Sequence, residues 1–157
     1  GAGCVRVEFG IESGSARGRA FLDKGITPEQ VRAAFRMARD AGLSTMGFVI
    51  LNIPGETAED VEETFRLARE ADPDFLQVSL LTPYPGTRLH KRAAAEGWIL
   101  TEELRAMHQR FLRRFYYRPG TVLKLARLLL GGTTRLRPLA RTTILGLRST
   151  LRRGGEG

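Results

Sequence analysis

The sequence predicts an α/β chain of three strand–helix units with parallel strands, followed by a basic helical tail. Three observations carry this. Apolar residues alternate between strand-like and helical spacing in the order βαβαβα. Three loops, Gly10-Ile-Glu-Ser-Gly14, Asn52-Ile-Pro-Gly-Glu56 and Pro83-Tyr-Pro-Gly-Thr87, each stand where a strand-like run gives way to a helical one. The charge balance also changes abruptly near residue 100.

Val5, Val7 and Phe9 alternate with Arg6 and Glu8, as in a strand with two unlike faces, and Gly10 is expected to end it. Thr27-Pro-Glu-Gln30 places a hydroxyl cap before a proline at the first helical position, with Gln30 able to complete a capping box. Val31, Ala34, Phe35 and Ala38 then give a helix one apolar face, Arg32, Arg36, Arg39 and Asp40 lie largely off it, and Gly42 ends it. Met46 to Leu51 is apolar apart from Gly47, as expected for a strand covered on both sides, and Pro54-Gly55 breaks it. Thr57 caps the next helix, with Ala58, Glu59 and Asp60 in its first turn and Val61, Thr64, Phe65 and Ala68 as its inner stripe. A third strand, Phe75 to Leu81, leads through Pro83-Tyr-Pro-Gly86 to a short helix from Thr87 to about Glu96. Right-handed crossovers make such a sheet parallel and gather the three loops at the carboxyl ends of the strands, where one ligand site is expected.

At 157 residues the chain suits about one domain. Three βα units do not close an eight-stranded barrel, and an open sheet would expose an edge at its first strand. Gly1 stands immediately before that strand, so the chain is expected to be the C-terminal part of a larger protein or a fragment of one. Residues 1–100 carry 12 Lys or Arg against 14 Asp or Glu, a net −2; residues 101–157 carry 13 against 3, a net +10. The basic excess belongs to the tail and says nothing about the βα part. Two divisions are therefore expected, 1–100 and 101–157.

Within the tail, Val122, Leu125, Ala126, Leu128 and Leu129 could line one side of a helix whose other side holds Lys124 and Arg127, and a second such stretch runs from about Leu139 to Leu151. Three readings stay open: a solvated helical appendage packing its leucines on the core, contact with an anionic membrane surface, and nucleic acid. Phe115, Tyr116 and Tyr117 cluster rather than spread through the basic run, which places nucleic acid last. Basic residues interrupt every apolar run well short of the roughly 20 residues that cross a bilayer. No signal-peptide pattern is visible, and the expected location is cytoplasmic, peripheral to the inner face of the membrane if the tail docks there.

Cys4 is the single cysteine and cannot alone hold a zinc or iron–sulfur site; a small buried side chain is expected. His90 and His108 lack a partner at metal-ligand spacing, and surface or packing roles are expected. No residue pair in the sequence assigns a proton-transfer role. Glu12, between two glycines past strand one, could accept hydrogen bonds from a ribose diol, or cap a helix, or pair with Arg17 or Arg19. Asn52 to Gly55 offers backbone N–H and C=O groups suited to a purine edge, or forms an ordinary turn.

Taken together, Gly3-Cys4, Gly10-Ile-Glu-Ser-Gly-Ser15, Lys24-Gly25-Ile-Thr27, Ile53-Pro-Gly-Glu-Thr57, Pro73-Asp74 and Thr82-Pro-Tyr-Pro-Gly-Thr87 resemble the C-terminal half of the radical S-adenosylmethionine (SAM) enzymes, especially the branch with an N-terminal cobalamin-binding domain. The likeness covers about residues 3–100; Phe115-Tyr-Tyr-Arg-Pro119 and the basic segment after it are similar to the extension of that branch. The resemblance implies the C-terminal (βα)3 portion of a partial TIM-type barrel. It implies SAM, a 4Fe–4S cluster whose CxxxCxxC ligands lie outside this chain, and cobalamin bound by a domain also outside it. Glu12 and Ser13 would meet the ribose side of SAM, while Ile50, Asn52 and Ile53, with Leu81 and Thr82, would flank adenine. Lys24 would reach the SAM carboxylate or cap its own helix turn. Implied activities are methyl transfer or cyclisation on a large organic or lipidic substrate, with an RNA-modifying enzyme as the nearest alternative. A noncatalytic module docking on a membrane or partner, or a truncated relic, is a third. The chain departs from the family pattern in lacking CxxxCxxC, in carrying Asn52 where relatives often have glycine, and in a shortened step from Gly97-Trp98-Ile-Leu100 to Thr101-Glu-Glu-Leu104. Without the missing N-terminal portion it is not expected to cleave SAM.

Overall fold

The computed structural model describes residues 3–96 and 102–131. The stretch from Leu139 to Leu151 and the step from Gly97 to Thr101 lie outside the described residues. The chain divides into two compact units, Gly1–His108 and Gln109–Gly157.

The first unit is built on a parallel sheet of order β1-β2-β3, with β1 at Arg6–Glu12, β2 at Ser44–Leu51 and β3 at Phe75–Leu80. Between the strands run α1 (Ala16–Leu22), α2 (Pro28–Asp40) and α3 (Ala58–Ala71), and α4 (Arg88–Glu96) follows β3. The α/β class and parallel pairing expected from the sequence are those observed.

Local chemistry explains most boundaries. Thr27 and Thr57 each accept a hydrogen bond from the backbone three residues on, and Gln30 and Asp60 return it to the cap's own N–H. Ala41 is the C-cap of α2, and Gly42 follows it at φ 70°. Asp74 accepts from the Thr45 N–H at 2.8 Å while Thr45 Oγ1 accepts from the Asp74 N–H at 3.2 Å. The Pro73-Asp74 pair thus fastens the start of β3 to β2, away from the loop end of the sheet.

Two expectations about the strands are corrected. β1 does not stop at Gly10 but continues through Ile11 to Glu12. Gly10 pairs with Phe48 and Glu12 with Val49, so Ile11 is an extra, bulged residue, and its 2% exposure shows why the strand goes on: the side chain finds a place in the core. Among the described residues, β2 is covered unevenly on its two sides. Thr45, Gly47, Val49 and Leu51 are buried, whereas Met46, Phe48 and Ile50 are half-buried. The buried set shares its face with Phe9 of β1, whose ring meets Phe35 of α2 edge-on at 5.1 Å. The opposite face carries exposed Glu8, Gln77 and Ser79 among the half-buried apolar residues.

Cys4 is exposed, not buried, its thiol directed to the Arg6 carbonyl at 3.3 Å; it precedes β1, before the helices begin to cover the sheet. His108, at the end of the first unit in α5 (Glu102–Tyr116), places Nε2 2.9 Å from the Val78 carbonyl on the edge strand β3, a packing role.

In the second unit α5 ends and α6 (Pro119–Gly131) begins around Arg118. The Arg118 guanidinium lies 4.6 Å from the Phe115 ring centre and donates to the Phe115 carbonyl and to Thr121 Oγ1, both at 3.1 Å. The buried side of α6 runs through Thr121 and Leu125, four residues apart. That setting turns Val122 outward, half exposed, contrary to its expected place beside Leu125.

Candidate functional site

All three marked loops lie in the first unit, at the carboxyl ends of adjacent parallel strands. They are joined to each other and to α3, and the joints differ.

After β1, Glu12 takes φ 60°. Its side chain folds back over Gly10, where a Cβ would lie 2.5 Å from Glu12 Oε1, so a larger residue at that position would require the carboxylate to shift. Lys24 Nζ stands 3.2 Å from the same oxygen. Glu12 therefore neither caps a helix nor pairs with Arg17 or Arg19: Ser15 caps α1, Arg17 donates to the Gly55 carbonyl at 2.6 Å, and Arg19 donates to the Gly14 carbonyl. Lys24 is held on Glu12 rather than on its own helix turn.

Ser13 is fully buried. Its hydroxyl lies 3.2 Å from Thr64 Oγ1, and because the Thr64 proton goes to the Asp60 carbonyl at 2.9 Å, Ser13 donates to Thr64. Gly14 N–H donates to the same Thr64 oxygen at 2.9 Å. The approach is so close that a Cβ on Gly14 would stand 2.3 Å from the Glu63 carbonyl. Ser13 and Gly14 thus dock the first loop onto α3, and what the loop presents is Glu12.

After β2, Asn52 also takes a left-handed conformation, at φ 66°. Ile53-Pro-Gly-Glu56 is a tight turn closed by Glu56 N–H to the Ile53 carbonyl at 2.8 Å. Glu56 Oε2 accepts from the Asn52 N–H at 2.7 Å and the Ile53 N–H at 3.4 Å. Of the backbone groups from Asn52 to Gly55 expected to suit a purine edge, the Asn52 and Ile53 N–H groups are therefore occupied by the loop's own carboxylate. Burial pushes the Glu56 pKa up to about 6; the two N–H bonds oppose that rise and nearby Asp60 adds to it. Ile53 itself is buried, while Ile50 is half-buried on the less buried face of β2.

The third loop is tied to the second. Leu81 N–H donates to the Leu51 carbonyl at 2.8 Å, and Asn52 Nδ2 donates to the Leu81 carbonyl at 3.1 Å. Thr82 is exposed, its hydroxyl on the Leu80 carbonyl at 3.1 Å. Thr87 caps α4 through the His90 N–H at 3.1 Å. The structure thus unites Glu12 with Lys24 and Asn52 with Leu81, and consigns Ser13 and Ile53 to the interior. Sequence reasoning gave no role to Glu56 or to the Arg17 link, although a glutamate four residues after Asn52 was a visible signal for the first.

The sequence profile of the radical SAM superfamily matches residues 1–68. Over 99 residues, 63% of this chain, the sequence is 46% identical to an uncharacterized methyltransferase of Pyrococcus horikoshii, covering 22% of that protein. Residues 1–68, less than half of the chain, are what matches the radical SAM superfamily. An anaerobic magnesium-protoporphyrin IX monomethyl ester cyclase of Rubrivivax gelatinosus is 33% identical over 54% of this chain and 15% of its own length. A tRNA-2-methylthio-N(6)-dimethylallyladenosine synthase of Chromobacterium violaceum is 33% identical over 49% and 18%. The chain spans less than a quarter of the length of these relatives.

The matched family implies SAM and a 4Fe–4S cluster. The residues present suit the first. Glu12 is a carboxylate at a strand end, its side chain 16% exposed, with one oxygen on Lys24. They do not suit the second: the chain has one cysteine, and among the described residues no group of His, Cys, Asp or Glu could hold a metal ion. No helix among the described residues is long and apolar enough to cross a membrane.

Proposed function

We propose that this chain is the SAM-binding part of a radical SAM enzyme that belongs to the cobalamin-binding branch and performs methyl transfer or cyclisation on a large organic or lipidic substrate. The cluster ligands and the cobalamin domain would come from the N-terminal portion of the same protein. The observation that carries this reading is the strand-end rim, where Glu12 stands beside a second loop bonded to the third strand end through Asn52 and Leu81. In it, Glu12 accepts the ribose hydroxyls, Lys24 orients Glu12 and lies within reach of the SAM carboxylate, and Ile50, Asn52, Ile53, Leu81 and Thr82 form the adenine side, with Ile53 acting from the interior. Ser13 holds the loop in place. Bound SAM would supply the radical chemistry; these residues bind and orient it.

Anaerobic reconstitution of the full-length protein, followed by equilibrium dialysis with SAM, tests the reading. Saturable SAM binding that Glu12→Gln weakens is the expected result, and a folded, cluster-loaded protein that ignores SAM would sink it. The similarity to a tRNA-2-methylthio-N(6)-dimethylallyladenosine synthase favours a second reading, an RNA-modifying enzyme. Incubation of the same preparation with tRNA and labelled SAM separates the two, since label in tRNA would displace the first.

A third reading, a docking module, draws on α6. Val122 and Leu123 are half exposed and Leu130 is 82% exposed, on a helix that also bears exposed Arg127. Sedimentation with anionic liposomes tests it, and recovery of the protein in the supernatant would remove it.

A further inference from the structure

Helix α6 is apolar on two sides. Thr121 and Leu125 are buried on one. Leu123 and Leu130, seven residues apart, share the nearly opposite side of the helix, where the first is half exposed and the second is 82% exposed. Exposed Arg127 follows Leu123 by four residues and precedes Leu130 by three, so the arginine stands on the same face as both leucines. A single exposed leucine needs no explanation, whereas a shared apolar face marks a contact.

Charge narrows what that contact is. Residues 109–131 hold six Lys or Arg and no Asp or Glu, and the sequence brings no further carboxylate side chain until Glu156. A second copy would bring the same positive charge to the face and be repelled. Nucleic acid would satisfy the cations and leave the leucines in water. The surface of an anionic bilayer meets both needs, since its headgroups neutralise arginine while its acyl boundary takes up apolar side chains. Exposed Tyr117, which follows α5, is a residue type that favours the same boundary.

We propose that the outer face of α6 lies in the surface of an anionic membrane, with Leu123 and Leu130 inserted among the lipids and Arg127 extended to their phosphates. This names the partner and the contact residues for the docking reading of α6 and rests on that reading; it is independent of how SAM is held.

The test is sedimentation of the full-length protein with vesicles of phosphatidylcholine alone and of phosphatidylcholine with phosphatidylglycerol in equal parts. Wild type pellets with the mixed vesicles, stays in solution with the neutral ones, and is released as salt is raised. Leu123→Gln combined with Leu130→Gln lowers the partition at least about tenfold, as expected when two leucines lose an apolar environment. Arg127→Gln lowers it roughly fivefold, the worth of one cation near such a surface. All three side chains are exposed, and circular dichroism checks that the variants keep their helices. Mixed-vesicle binding that salt abolishes but the double leucine variant leaves unchanged would be a phosphate contact of the kind RNA also offers, and overturns this proposal alone. Protein that ignores the vesicles but self-associates, and is returned to monomer by the double variant, assigns the face to a second copy and overturns it too. Monomeric protein left in the supernatant with every vesicle removes the docking reading and the proposal together.

Discussion

The loops after β1 and β2 begin alike and are held in opposite ways. Each places a residue at the strand end in the left-handed region, Glu12 at φ 60° and Asn52 at φ 66°, and each contains a glutamate. In the first loop hydroxyls and a close backbone approach to α3 fix the chain, and the carboxylate is left facing a lysine. In the second the carboxylate itself fixes the chain by taking two backbone amides. The same residue type thus faces a lysine at the strand end in one loop and holds its own backbone in the other. Substitutions should separate the two: changes at Glu12 should touch binding and spare stability, whereas the first loop should lose stability only when its hydroxyl and glycine contacts are attacked.

The largest effect is expected at Gly14. A methyl group there would meet the Glu63 carbonyl and the Thr64 Cα, which are backbone atoms of α3 and cannot rotate aside. Gly14→Ala should cost about 3 kcal/mol of unfolding free energy, the upper range for overpacking, measured by urea denaturation. A variant within experimental error of wild type would mean that the first loop is not pinned to α3. Thr64→Val should come next. It keeps the shape but removes the acceptor for Gly14 N–H and Ser13, at about 2 kcal/mol. Full stability in that variant would shift the anchoring of the loop to Arg19 and Ser15.

How much of this was legible follows from how local each contact is. The capping box at Thr27 and the cap at Thr57 involve residues three apart and were legible, whereas the return bond by which Asp60 completes a second box was not foreseen. The end of β1 was not legible, because Gly10 looks like a stop unless one knows that the core has room for Ile11. Ser13 looked ligand-facing since its partner, Thr64, is 51 residues away and nothing local announces the pair. Glu56 is the instructive case: its bonds reach back only three and four residues, yet a carboxylate that turns inward onto its own loop has the same sequence as one that caps the following helix. The rim of strand ends could be foreseen from topology; the division of labour among its carboxylates could not.

Glu12→Gln sharpens the comparison from the ligand side. The amide keeps one acceptor oxygen but loses the charge that draws Lys24 and strengthens bonds to hydroxyl donors. SAM affinity of the full-length protein should fall roughly tenfold, the difference of about 1.4 kcal/mol between charged and neutral acceptors. The thermal midpoint should stay nearly fixed, because among the described residues no backbone group bonds to this carboxylate. A drop in midpoint with unchanged affinity would exchange the roles assigned to Glu12 and Glu56.

The smallest effect, and the one that isolates the second loop, is the pH dependence of stability. Glu56 has its folded pKa raised from 4.5 to about 6, by burial first and by Asp60 as well, against the pull of two N–H bonds. A raised carboxyl pKa means that the folded state binds a proton more tightly than the unfolded one. The stabilisation from this group is then fully present below about pH 4.5 and lost as pH rises through about 6. Asp60, the charged group that raises the Glu56 pKa, pairs with Arg17 at 3.6 Å and has its own pKa lowered by the Thr57 N–H, so it stays ionised across that window. Stability measured between pH 4.5 and 7.5 should therefore decline with rising pH in wild type relative to Glu56→Gln, which has no proton to lose. Parallel curves for the two proteins would show that the carboxylate is better solvated than its buried oxygen implies, and the contrast with Glu12 would then rest on hydrogen bonding alone.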